Sequence, residues 1–144
     1  MESILTRQAN IQDTEVLFEL NEEFNDKGIN TIEHIKELLE NNKQEIVCVV
    51  EINKEIVGFS CMQIIKSFCY SSIHAELTEL YIKESFRRIG LATKLINYME
   101  NLCINTYGVN KFQLLTGEKN ISARKLYESL GYTFENDVFY TKKI

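Results

Sequence analysis

The chain has 144 residues, of which 44% are hydrophobic and 26% charged, with a formal net charge of −5. At roughly 150 residues per domain this is one domain, 1–144, long enough to bury about 70% of its unfolded surface without a metal or disulfide staple. The composition excludes a disordered tail, a collagen-like fibre and a coiled-coil rod, and the acidic surplus argues against nucleic acid as a partner.

Ile4–Gln8 reads as a short first strand. Asp13 is placed to cap a helix running to about Asn25, with Val16, Leu17, Leu20 and Phe24 at helical spacing. Asp26-Lys27-Gly28 breaks it. Thr31 opens a second helix with Ile32, Ile35, Leu38 and Leu39 on one face, ending at Asn41-Asn42. Two strands follow as a hairpin, Glu45–Glu51 and Ile56 to about Lys66, with Gly58 marking a bulge or a close approach. After the loop 67–72, Ile73–Ile82 is a further strand and Lys83–Arg88 a polar turn. From Gly90 a helix is predicted with Leu91, Leu95, Ile96, Met99, Leu102 and Cys103 on its buried face, stopped at Gly108. Phe112–Leu115 reads as a strand and Ile121–Leu130 as a helix stopped by Gly131. Tyr132–Phe134 and Val138–Tyr140 read as two closing strands. The order β-α-α-β-β-β-α-β-α-β-β predicts a mixed α/β domain with helices on both faces of a mixed sheet.

No basic region followed by an apolar run opens the chain, and no stretch approaches the roughly 18 apolar residues of a membrane helix. These readings predict a cytoplasmic protein without a membrane partner. The four cysteines (Cys48, Cys61, Cys69, Cys103) form no CxxC pair, and His34 and His74 are isolated, so no metal site is expected.

The chemistry is concentrated where a strand enters Arg87-Arg88-Ile89-Gly90-Leu91-Ala92 and then a long helix. A helix start presents unpaired N–H groups and a partial positive charge. Gly90 and Ala92 let a bulky anion reach that backbone, and the arginines add charge, so the segment by itself reads either as a pyrophosphate cradle or, more commonly for such a hexapeptide, as a tight strand-to-helix turn with solvated arginines. It is neither a P-loop nor a Rossmann fingerprint.

In this context the chain resembles the GNAT superfamily of acetyl-CoA-dependent N-acetyltransferases. Arg87–Ala92 is similar to the family's coenzyme motif, Gln/Arg-x-x-Gly-x-Gly/Ala. Asn120-Ile121-Ser122-Ala123-Arg124-Lys125-Leu126-Tyr127-Glu128-Ser129-Leu130-Gly131-Tyr132 resembles its second signature. The chain departs from the family at Lys83-Glu84, where members often carry proline. The resemblance implies a GNAT-like fold: a mostly antiparallel mixed sheet of about seven strands, flanked by four helices and splayed between strands 4 and 5. It also implies acetyl-CoA as acetyl donor, with no metal. The pantetheine arm would pair along the backbone of Leu80, Tyr81 and Ile82. Arg87, Arg88, Ile89, Gly90, Leu91, Ala92 and Thr93 would hold the pyrophosphate. Asn120 would bond the pantetheine or its neighbouring strand, and Ala123 would let the last helix approach.

By the same resemblance Tyr127 is the acid that protonates the departing thiolate. Glu79 is the base for the amine, with Glu76 or a bound water as competitors. In an ideal strand Glu76 and Glu79 point to opposite faces, and a bulge would break that parity. Glu22, Glu23 and Asp26 read as a solvated helix end or an attraction for a cationic acceptor. The activity implied is direct transfer of acetyl to a primary amine of a small molecule or protein. A non-catalytic acyl-CoA sensor is the alternative. Homodimerisation is open, as is the identity of the acceptor.

Overall fold

The computed structural model describes residues 2–144. Four antiparallel strands, β1 (Ile4–Gln8), β2 (Glu45–Ile52), β3 (Glu55–Ile65) and β4 (Ile73–Ile82), lie side by side in sequence order. A fifth, β5 (Val109–Leu114), joins β4 in parallel. Helices α1 (Thr14–Asn25) and α2 (Ile32–Asn41) precede β2, α3 (Leu91–Tyr107) crosses from β4 to β5, and α4 (Ile121–Ser129) follows β5. This is a mixed α/β fold of the expected class, and no helix among the described residues is long and apolar enough to cross a membrane.

Both faces of the sheet are covered, which is why β2 and β3 read as nearly continuous apolar runs. Alternate residues divide between two cores. Ile46, Cys48, Val50 and Met62 face the buried stripe of α3, formed by Leu91, Leu95, Ile96, Met99 and Cys103. Val49, Phe59 and Cys61 face Leu17 and Leu20 of α1. Glycines in the left-handed region bound α3 at both ends, Gly90 (φ 85°) and Gly108 (φ 70°), as the helix signals require.

Gly58 satisfies both readings made of it. Val57 bulges out of the β2–β3 register, and a Cβ at Gly58 would stand 2.5 Å from Ile82 Cδ1 and 2.7 Å from the Tyr81 carbonyl. The missing side chain lets β4 lie against β3 at the end that matters for the site.

Two expectations are corrected. Asp13 does not cap α1. Its carboxylate is held by Arg7 through two bonds of 2.8 Å and by the Asn10 N–H, while Asn10 caps a short 3-10 turn, Ile11–Asp13, ahead of the helix. An arginine fork outcompetes a local cap for the same oxygens. The sheet has five strands among the described residues, where about seven were expected. Tyr132–Phe134 and Val138–Tyr140 form no ladder, and Phe134, Val138, Phe139 and Tyr140 are exposed. Three-residue segments around a turn with no glycine offer too few cross-strand pairs to hold a hairpin.

Candidate active site

The splay expected between β4 and β5 is present. β5 pairs with β4 only from Ile73 to Leu77, whereas β3 pairs with it as far as Ile82. Beyond Leu77 the β5-side edge of β4 therefore has no neighbouring strand among the described residues. Leu80 and Ile82 pack into the larger core and Tyr81 into the smaller one. The open edge offers main-chain groups at Leu80 and Ile82, a template for an extended ligand, while the Tyr81 carbonyl points at Gly58 of β3.

That edge leads directly into the turn before α3. Arg87 bends back: its Nε donates to the Ile82 carbonyl at 2.7 Å and its guanidinium lies 5.6 Å from the Tyr81 ring centroid. Arg87 thus braces the junction of strand and turn. Arg88 and Gly90 both have positive φ, 68° and 85°, which turns the chain sharply into the helix. No side chain among the described residues caps α3, so its first-turn N–H groups at Leu91, Ala92 and Thr93 lack intrahelical partners. Arg88, Ile89 and Gly90 are exposed, while Leu91 is buried and anchors the turn. A Cβ built at Gly90 meets nothing within 4 Å. Space, N–H donors and the positive helix end coincide there, which fits a diphosphate.

On the same side of the sheet, α4 packs Leu126, Tyr127 and Leu130 against the larger core. Asn120 caps it, its Oδ1 accepting from the Ala123 N–H at 3.2 Å. This directs one end of the Asn120 amide inward to its own helix and leaves Nδ2 for other partners. Ala123 is half-buried. Burial pushes the Tyr127 phenol above its ordinary value, so it keeps its proton. Tyr132, absent from the expected site, packs edge-on to Tyr127 at 6.1 Å and donates to Glu100 at 2.6 Å, which fixes the ring beside Tyr127.

The carboxylates lie on the opposite face. Thr78 is a bulge: Leu77 pairs with Met62 and Glu79 with Cys61, so one β4 residue has no partner. The parity breaks there, and Glu76 and Glu79 both face the α1–α2 side. Glu76 is bound by Gln113 Nε2 at 2.9 Å, bridging β4 and β5. Glu79 lines a cleft of about 220 Å³ between Leu17 of α1, Leu38 of α2 and Glu45, Phe59 and Cys61 of the sheet. Burial, then the charge of Glu45, holds the Glu79 carboxyl above the usual carboxylate range. Such a group accepts a proton more readily than an exposed glutamate. The Thr78 bulge puts both glutamates on one face, where Glu76 is engaged by Gln113 and Glu79 faces the cleft.

Glu45, which lines the cleft, and Gln63, which binds it, were missed. Their register, Glu45 opposite Gln63, places both on the Glu79 face, and polar residues at alternate positions of an apolar hairpin were the available signal. Elsewhere, Glu22 and Glu23 are used within the fold, Glu22 by the Gly28 N–H and Glu23 by the Tyr81 hydroxyl. His74 contacts Ser72, and Tyr140 is exposed.

The Acetyltransferase (GNAT) family matches residues 10–132. The catalytic subunit NAT3 of the N-terminal acetyltransferase B complex of Saccharomyces cerevisiae is 39% identical over 61 residues. That stretch is 42% of this chain and 31% of the yeast protein, so the chain spans less than a third of that relative. Among solved structures, an aminoglycoside acetyltransferase from an uncultured soil metagenomic sample, in complex with trehalose, superposes with a TM-score of 0.85 at 19% identity, over 98% of this chain and 95% of that one. The aminoglycoside acetyltransferase AAC(6')-Iy, in complex with a CoA-containing bisubstrate analogue, gives 0.83 at 22% identity over 99% of both chains. At these identities the structural likeness is one of fold.

Proposed function

Because the chain belongs to the GNAT family of acetyltransferases, we propose that it transfers acetyl from acetyl-CoA to a primary amine of a small molecule or protein, by direct attack with both substrates bound. The observation that carries this reading is the unpaired β4 edge past Leu77 running into the uncapped, sterically open start of α3. The edge takes the pantetheine arm as an added strand at Leu80–Ile82, and the N–H groups from Arg88 to Thr93 take the diphosphate. Asn120 and Ala123 border the arm from α4.

The thioester supplies an activated acyl group. An ammonium has no lone pair, so the acceptor must first lose a proton, and Glu79, held basic by burial, receives it in the cleft. Tyr127, on the other side of the sheet and kept protonated by its surroundings, donates to the sulfur as the C–S bond breaks. The splay is what allows groups on opposite faces to address one centre.

Thermal-shift titration tests the coenzyme site. Ligand at 100 times its dissociation constant stabilises the folded chain by about 2.7 kcal/mol, so millimolar acetyl-CoA is expected to raise the melting temperature. An unchanged temperature would overturn the proposal.

A further inference from the structure

Glu45 and Glu79 are half-buried carboxylates on the wall of one cleft. Half-buried charges are ordinarily paired. Among the described residues the ion pairs are those of Arg7 with Asp13 and Glu51, so neither cleft carboxylate has a cationic side chain within 4 Å. Gln63 Nε2 holds one Glu45 oxygen at 3.0 Å, which fixes its direction without neutralising it. Glu45 sits opposite Gln63, and Glu79 opposite Cys61 two residues away on the same strand. Two strand spacings and two residue rises put their Cα atoms about 12 Å apart. The Cys61 thiol lies between them, and its titration is pushed up by both charges after burial itself. The surface spanning the two carboxylates is mainly apolar, with Leu17, Ile35, Leu38 and Phe59, and Asn21 and Asn30 are the uncharged polar side chains in the lining. Beyond Glu45 a second cleft opens, lined by Lys43 and Lys66.

We propose that Glu45 is the specificity-determining residue of the acceptor cleft and that the acceptor it selects is a short aliphatic diamine, one nitrogen seated at Glu79 for acetylation and the other held as an ammonium at Glu45. This rests on the reading of Glu79 as the acceptor-side base. Two anionic ends joined by a mainly apolar wall that carries no further charge match two cationic ends joined by methylenes. The lysines past Glu45 repel a third ammonium, so the selected chain is short. In the transfer, the reacting nitrogen gives a proton to Glu79 and forms the bond to the acetyl carbon. The C–S bond breaks, the sulfur takes the Tyr127 proton, and the second ammonium remains charged throughout.

The test compares 1,4-diaminobutane with n-butylamine at saturating acetyl-CoA, following thiol release, in wild type and Glu45→Gln. The wild type is expected to prefer the diamine by at least about tenfold in kcat/KM, and Glu45→Gln to shrink that preference to about threefold or less, mainly through KM for the diamine. Glu45→Asp, which keeps the charge on a shorter arm, is expected to retain part of it. The acetyl-CoA thermal shift of each variant reports folding and an intact coenzyme site. Equal use of the two amines by the wild type, a preference that survives Glu45→Gln, or acetylation of N-terminal peptides in place of diamines would overturn the inference while leaving the acetyltransferase reading intact. Absence of any acetyl-CoA stabilisation would bring down that reading first, and this one with it.

Discussion

The Tyr81 hydroxyl donates to the Glu23 carboxylate at 2.9 Å, tying the last turn of α1 to the open end of β4. The ring beneath that bond packs against Phe24 at 5.2 Å and Phe59 at 6.1 Å, with Arg87 over its face. One side chain thus joins the wall of the Glu79 cleft to the strand edge beside the turn into α3. Tyr81→Phe keeps the ring and removes the bond. It is expected to cost about 1 kcal/mol or less and to speed amide hydrogen exchange across residues 21–30. Unchanged exchange in that segment would show that the aromatic packing alone holds α1 in place.

Tyr127→Phe separates proton donation from packing. The ring remains against the core, and the thiolate loses its acid. Turnover is expected to fall by about 10²-fold, with coenzyme affinity within a few-fold of wild type. Burial raises the Tyr127 pKa above its ordinary value. Loss of its proton therefore depresses kcat only on the alkaline side of that value, and the rate stays flat with respect to this group across neutral pH. Wild-type turnover in the variant would exclude Tyr127 as the acid and favour a binding module.

Gly90→Glu places a carboxylate where the diphosphate is expected and forces an L side chain to φ 85°. Gly90→Asn makes the same conformational demand without the charge, and asparagine tolerates the left-handed region best among such residues. Calorimetric titration with CoA is expected to show at least about a tenfold loss for the glutamate and a smaller one for the asparagine. Equal affinities in all three proteins would place the phosphates elsewhere.

Arg7, Asp13 and Glu51 form the ion-pair network of the β1 edge, with Arg7 Nε at 2.6 Å from Glu51. The Arg7 guanidinium beside it holds the Asp13 carboxyl below the ordinary carboxylate value. A depressed acid stabilises the fold at pH above its unfolded pKa and loses that contribution as pH falls through the folded one. Asp13→Asn is therefore expected to destabilise the chain at pH 7 by about 2 kcal/mol or more, because Arg7 loses a partner, and to flatten the acid limb of a denaturation series below about pH 4. An acid limb matching wild type would mean that other carboxylates govern it.

The turn into α3 was readable because it depends on local order. The α3 stripe of Leu91, Leu95, Ile96 and Met99 follows helical period, and the turn before it needs Gly90 for its positive φ. Neither property depends on distant residues, so this turn was visible in one short stretch. The cap of α1 was not, because Asp13 is claimed by Arg7 from another strand. The final residues, though alternating in character, make no ladder.

What the linear order of residues determined by itself is the alternation of helix and strand and the glycine-gated entry to α3, while the association of that entry with the Asn120–Tyr132 segment came from the family resemblance. Only the tertiary structure decided that Thr78 bulges, that Glu79 thereby joins Glu45 on the cleft face while Glu76 is taken by Gln113, and that Arg87 braces Ile82. Periodicity is carried by neighbours along the chain. A bulge is set by register against the partner strand, and a carboxylate's availability by which side chains the fold brings within reach, neither of which exists until the sheet is assembled.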